Sequence, residues 1–212
     1  MNVEQHSGLP VGLRERRRRE TLSEITEAAL DLFESRGVAA TTVDDIAQAV
    51  GISARTFFRY FPTKEHAVFH EDEAIDRMLE VISAHTSDVP VAQTLEVAWL
   101  ELVDLVDSRP EEFNTTRRVR HLISCEPALL AVALARDAER IEQITAAAVE
   151  VCTDDPLAVR ALVTVMDAMI RVVFDEWARR VENGERVHVR DVYISVRRGL
   201  EPHYATLAQA DF

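Results

Sequence analysis

The chain has little of what several common protein classes require. Its two cysteines, Cys125 and Cys152, show neither metal-type spacing nor the pattern of a disulfide framework, which points to a reducing cytoplasm. Glycine is scarce at six residues, and no phosphate loop, nucleophile elbow or HExxH pattern occurs. Those absences argue against enzymatic chemistry, and no cofactor is expected. No apolar run approaches the roughly 20 residues that cross a bilayer. The longest, from Ala128 to Ala135, is bounded by Glu126-Pro127 and Arg136-Asp137, so no membrane partner is expected. The N-terminus is polar and then Arg-rich, with no apolar signal core behind it. Strand alternation, internal repeats and low-complexity tracts are absent too.

What is present suits a globular protein, with 47% apolar and 29% charged residues in 212. The net charge of −13 is unevenly placed. Up to Lys64 nine basic residues balance nine acidic ones, so the remainder, with 15 basic against 28 acidic residues, carries the whole excess. An acidic body keeps a protein soluble and repels nucleic acid except where arginine is concentrated. Arg14, Arg16, Arg17, Arg18 and Arg19 form such a concentration.

The stretch from Thr41 to Lys64, TTVDDIAQAVGISARTFFRYFPTK, organises the chain. Thr42 followed by Asp45 is a capping box, and Val43, Ile46, Ala47 and Val50 recur at helical spacing. Gly51 stands where a helix end takes a left-handed residue. Ser53 caps a second helix, Ala54 to about Phe61, and Pro62 stops it. Two short helices around a tight Gly-containing turn form a helix-turn-helix, although an ordinary helical hairpin reads the same way. Phe57 and Phe61 would anchor the second helix, leaving Arg55, Thr56, Arg59 and Tyr60 outward and Lys64 just beyond. Arginine reads a guanine edge, while Thr, Tyr and Lys suit phosphate oxygens. A basic arm that includes Arg16, Arg17 and Arg18 precedes this hairpin, placed to reach phosphates or a minor groove.

A helix before it, from about Leu13 to Gly37, carries Leu22, Ile25, Ala29, Leu32 and Phe33 as its stripe, with Ala28 and Leu30 flanking. With these motifs in view, Thr21 to Lys64 resembles the DNA-binding domain of the TetR family of transcriptional regulators. The resemblance rests on Ala28-x3-Leu32-Phe33, Arg36-Gly37, Thr42-Val43-x2-Ile46-Ala47 and Gly51-Ile52-Ser53. It continues through Thr56-Phe57-Phe58-x-Tyr60-Phe61-Pro62-x-Lys64-Glu65 and spans about a quarter of the chain. It implies phosphate contacts at Thr42, Thr56, Tyr60 and Lys64, and base contacts at Ser53, Ala54, Arg55 and Arg59. Phe58 departs from the family pattern, which often has Tyr there; it would offer apolar contact to a thymine methyl or a sugar edge instead.

The rest reads as helical, giving an all-α protein of about nine helices. Residues 1–12 read as a disordered arm, 13–64 as the DNA-binding domain and 65–212 as a ligand-binding and dimerisation domain. A long helix is expected from Thr63 to about His85, with Ala67, Val68, Ile75, Met78, Leu79 and Ile82 inward. His66, His70 and Glu73 have metal-ligand spacing on it, but a solvated acidic face is the simpler reading, and no metal site is assigned. Further helices are expected at Val91–Asp107, from Pro110, from Pro127 to about Cys152, through Val181, and from Val189, where Pro202 should kink or end the last. Asp167, Arg171, Asp175 and Arg179 form an i,i+4 ladder, either a solvated stripe or an inter-subunit one.

The family resemblance implies that the last two helices pair in a homodimer, placing two recognition helices on a palindromic operator. It also implies that a small molecule binds among the central helices and switches the protein as a repressor. Candidate lining residues are Trp99, Phe113, Arg117, His121, Met166, Met169 and Phe174, although Trp, Met and Phe at helical spacing also make plain core. Arg117, Arg118, Arg120 and His121 are the basic cluster of the acidic body, and one pointing inward would suit an anionic ligand. Two other readings remain open: a helical cytosolic enzyme with a hairpin of this shape, and a dimeric interaction protein without DNA binding.

Overall fold

The computed structural model describes residues 12–69, 73–86, 89–108 and 110–209, without the side chains of 13–15, 73–74, 110–113 and 204–209. Among the described residues there are nine α-helices, one 3-10 turn and no strand. The chain divides into two compact units, one through His70 and one from Glu71. The arm expected over residues 1–12 lies, but for Gly12, outside the described residues.

The first unit holds α1 (Leu13–Arg36), α2 (Val43–Ala49), α3 (Ala54–Tyr60) and the 3-10 turn Glu65–Val68. Local chemistry sets each boundary. Gly37, at φ +82°, closes α1 by donating its amide to the Phe33 carbonyl. The capping box forms as the sequence predicts: Thr42 Oγ1 accepts from the Asp45 amide at 3.1 Å, and Asp45 Oδ2 accepts from the Thr42 amide at 2.9 Å. Gly51 takes φ +71° in the turn. Ile25, Ala29, Leu30, Phe33, Ile46, Phe57 and Phe61 are buried together with Ala67 and Val68. Leu30, expected at the flank, is fully buried, whereas Leu32 is half-buried, so the α1 stripe is turned toward Thr26.

Thr26 also accounts for a difference from the expected Thr63–His85 helix. Its buried hydroxyl donates to the Ala67 carbonyl at 2.7 Å, holding the 3-10 turn against α1. Phe69 then adopts extended angles, φ −104° and ψ 109°, and the backbone leaves the helical path. Ala67 and Val68 therefore belong to the first core, and Met78 and Ile82 to the second. Of the metal-spaced trio, His70 and the Glu73 side chain lie outside the described residues.

The second unit contains α4 (Glu73–Ser83), α5 (Val91–Ser108), α6 (Pro110–Cys125), α7 (Pro127–Val151), α8 (Pro156–Glu182) and α9 (Val189–Gln209). Trp99, Leu95, Val103, Ile144, Ala148, Val173, Phe174, Trp177, Val189 and Tyr193 fill its core. Two polar groups from elsewhere in the unit fix the approach of α9. Asp107 of α5 accepts from the Val189 and Arg190 amides at 2.9 and 3.0 Å, capping a helix distant in sequence. Trp177 Nε1 donates to the Val187 carbonyl at 3.2 Å. The helix α9 continues past Pro202 to Gln209, because one missing donor removes a single rung and leaves the others intact. A Cβ placed on Gly199 would meet open space within this chain.

Candidate nucleic-acid interface

The geometry of α3 follows from two competing contributions. Ser53 Oγ accepts from the Thr56 amide at 3.1 Å, a cap worth about 1 kcal/mol. Burying Phe57 and Phe61 contributes more, about 2–3 kcal/mol each, so the aromatics decide which side of the helix turns outward. Their rings lie 5.7 Å apart. The outward face then carries exposed Ser53, Arg55, Phe58 and Arg59, with Ala54, Thr56 and Tyr60 half-exposed.

Several of these side chains are tied to one another. Ser53 Oγ and Thr56 Oγ1 are 3.0 Å apart. Arg59 Nη2 donates to Tyr60 Oη at 3.2 Å, and its guanidinium carbon lies 5.0 Å from the centre of the Tyr60 ring. Phe58 is 55% exposed, set edge-on to Phe57 with ring centres 5.7 Å apart. An exposed phenylalanine between arginines suits an apolar base edge, as the departure at this position implies.

Thr42 and Lys64, both implied as phosphate contacts, also have structural duties, and that of Lys64 is one spacing does not reveal. Besides accepting from the Asp45 amide, the Thr42 hydroxyl donates to Asp45 Oδ2 at 2.7 Å. The Thr42 hydroxyl and amide, with Arg36 nearby, hold the Asp45 carboxyl below its ordinary range. Lys64 is the only lysine in the chain. Its Nζ donates to the Val38 carbonyl at 2.6 Å and the Thr41 carbonyl at 2.7 Å, spanning the α1–α2 loop, with the side chain only 21% exposed. Arg16 pairs with Glu20 at 2.9 Å within α1, Arg17 is exposed and Arg18 half-exposed. These three therefore stand on the first turns of a helix.

The ligand candidates fall into different environments. Trp99, Met166 and Phe174 are buried in the second core and Met169 is half-buried. The Phe113 side chain lies outside the described residues. Arg117 donates to Asn114 Oδ1 at 2.8 Å, and exposed His121 stands 3.3 Å from Glu182. A shallow surface depression of about 690 Å³ is lined by Asp76, Leu79, Glu80, Ser83 and Ala84, none of them a candidate.

The arginine with the interior position is Arg120, which that choice of lining residues omits. It lies 3.4 Å from Asp175 and 5.5 Å over the Phe174 ring. Burial pushes its guanidinium below the ordinary arginine value, against the pull of Asp175 and Asp137. The i,i+4 ladder of α8 divides: Asp175 and Arg179 are exposed, as a solvated stripe requires, whereas Asp167 and Arg171 pair with another helix of the same chain. Asp167, 2% exposed, accepts from Arg140 of α7 at 2.9 and 2.7 Å, while Arg171 reaches Asp137 at 3.3 Å. Arg179 pairs with Glu176 instead. Burial holds the Asp167 carboxyl above its usual range despite Arg140. A lone aspartate within VTVMDAMI was the available signal, since a charge in an apolar run needs a partner.

A capped, outward-facing arginine-bearing helix behind a tight turn defines a helix-turn-helix DNA-binding protein. The family model described as bacterial regulatory proteins, tetR family, matches residues 25–69. The HTH-type transcriptional regulator TcmR of Streptomyces glaucescens is 34% identical over 180 residues, covering 81% of this chain and 79% of that protein. The HTH-type transcriptional repressor KstR2 of Rhodococcus jostii is 28% identical over 109 residues, 49% of this chain and 52% of its own. Among solved structures, the TetR-family repressor FadR of Thermus thermophilus, in complex with lauroyl-CoA, has a TM-score of 0.49 at 19% identity, covering 84% of this chain and 91% of that one. The chain belongs to the TetR family of bacterial regulatory proteins, and it is a DNA-binding transcriptional regulator.

Proposed function

We propose that this regulator is a repressor that binds a palindromic operator as a homodimer and is released by a small molecule. In this reading the first unit reads DNA, the second binds the effector and dimerises, and the protein works in the cytoplasm by binding alone, without catalysis. The outward face of α3 carries the reading: Arg55, Phe58 and Arg59 stand exposed on a helix whose other side is locked by Phe57 and Phe61. Arg55 and Arg59 would contact base edges beside Ser53 and Ala54, and Thr56 and Tyr60 the phosphates. Arg16, Arg17 and Arg18 would add sequence-independent attraction at the start of α1. Dimerisation is supported by Leu157, Val165 and Val172, which leave α8 74%, 43% and 54% exposed in the single chain.

The test is selection of bound sequences from a random DNA pool with the full chain. The expected product is a two-fold symmetric site with half-sites about 34 Å apart, whose binding weakens steeply with salt. Arg55→Ala should weaken that site by about 1–3 kcal/mol and relax base preference at one position of each half-site. A pool from which nothing is enriched at low salt would remove the operator reading.

A further inference from the structure

The charges at the α6–α7–α8 junction are unevenly shared. Arg140 takes Asp167 at 2.9 and 2.7 Å and Asp137 at 2.5 Å, and Arg171 adds its own 3.3 Å contact to Asp137. Two arginines thus use two aspartates on short, mostly buried contacts. Arg120 is hydrogen-bonded to Asp175 alone of these, at 3.4 Å, with Asp137 acting only through its charge, and the paired side chains differ in exposure: that of Arg120 is 23% exposed and that of Asp175 55%. An ion pair whose acid stands largely in water contributes little, whereas the cation has already lost much of its own hydration. On its inner side the guanidinium meets the Phe174 ring, which disperses charge but cannot accept two parallel N–H bonds.

We infer that Arg120, held over the Phe174 ring, receives the anionic group of the effector, a carboxylate. The inference rests on the ligand-responsive reading above and names its chemistry. A ligand carboxylate forms the bidentate fork that Asp175 does not form, and Asp175 turns to water at small cost because it is already more than half exposed. Arg117 and His121, the basic residues of α6 that spacing suggested, are engaged at the surface by Asn114 and Glu182. Arg140 already holds two aspartates through Nε and Nη2, with Asp167 almost wholly buried.

The experiment titrates the full-length protein with naphthoate and decanoate, and with naphthamide and decanamide as neutral counterparts, by calorimetry and thermal shift. Both acids should bind and raise Tm, with the amides bound at least tenfold more weakly, about the loss expected for a charge-assisted fork. Arg120→Gln should weaken the acids about tenfold or more, and Arg120→Lys should restore part of that. Asp175→Asn, at an exposed position that does not endanger folding, should tighten the acids several-fold by removing a competitor. Equal binding of acids and amides, no binding of either acid, or acid affinity unchanged in Arg120→Gln would overturn the assignment. Operator binding without ligand, measured on the same samples, separates the two claims. Intact operator binding with any of those results removes only the carboxylate, whereas wild type without operator binding removes the regulator reading itself.

Discussion

The outward face of α3 and the junction of α6, α7 and α8 both hold arginines, with aromatic side chains close by, yet they use them in opposite ways. On α3 the arginines stand in solvent, and the one tied to a neighbour, Arg59, is held by the adjacent Tyr60. At the junction Asp167 reaches Arg140 and Arg171 reaches Asp137 on largely buried contacts, while the exposed Asp175 makes a single long contact to Arg120. The difference is one of solvent. An exposed cation keeps its hydration until an outside partner replaces it, so its charge is not committed within the fold. A buried ion must have its partner built into the fold, and removing that partner leaves an uncompensated charge.

The largest break in this comparison should come from Asp167→Ala. It leaves Arg140 with Asp137 alone, and chemical denaturation should show a loss of about 3 kcal/mol. Replacing both Asp167 and Arg140 by apolar residues of similar volume should recover most of it, because a buried pair can be exchanged for packing. Lys64→Met tests the same distinction in the first unit. If Lys64 is chiefly a strut between the Val38 and Thr41 carbonyls, the variant loses about 2 kcal/mol of stability while the salt slope of operator binding stays at the wild-type value. A drop of about one in that slope would make Lys64 a phosphate contact instead. Thr42→Ala should cost about 1 kcal/mol, seen as faster amide exchange in α2, because one residue supplies the cap.

The smallest effect is a pH dependence with opposite signs on one helix. Arg179 and then Arg180 hold the Glu176 carboxyl down at about 2. A depressed carboxylate contributes its stability in full above its unfolded value, near 4.3, and loses it as pH falls toward 2. The stability gap between wild type and Glu176→Gln should therefore be constant from neutral pH to about 5 and close below that. The Asp167 carboxyl is raised, so protonation favours its folded state. Acidification between its unfolded and folded values should relieve a cost there instead of adding one.

Much of the first unit was legible because its rules are local. Thr42 with Asp45, Gly51, Ser53 and the Phe57–Phe61 interval each act within one helical turn, and each occupies the place its spacing predicts. Lys64 shows where local reading stops, since its position in a motif suggested phosphate while its ammonium is held by carbonyls 26 and 23 residues earlier. The break after Val68 had the same origin, a hydroxyl on Thr26 that no periodicity connects to Ala67.

By itself the sequence determined the helical class, the element order, the caps and the amphipathic faces, because those depend on neighbours three or four residues away. It also marked α3 as the arginine-bearing helix of the hairpin. Only the tertiary structure decided which charges are paired and which are available. The ladder on α8 could not reveal it, because spacing along one helix says which face a residue occupies but not which other helix covers that face. Asp167 became a buried partner of Arg140, and Arg120 the half-buried cation with the weakest acid, only once α6, α7 and α8 were packed together.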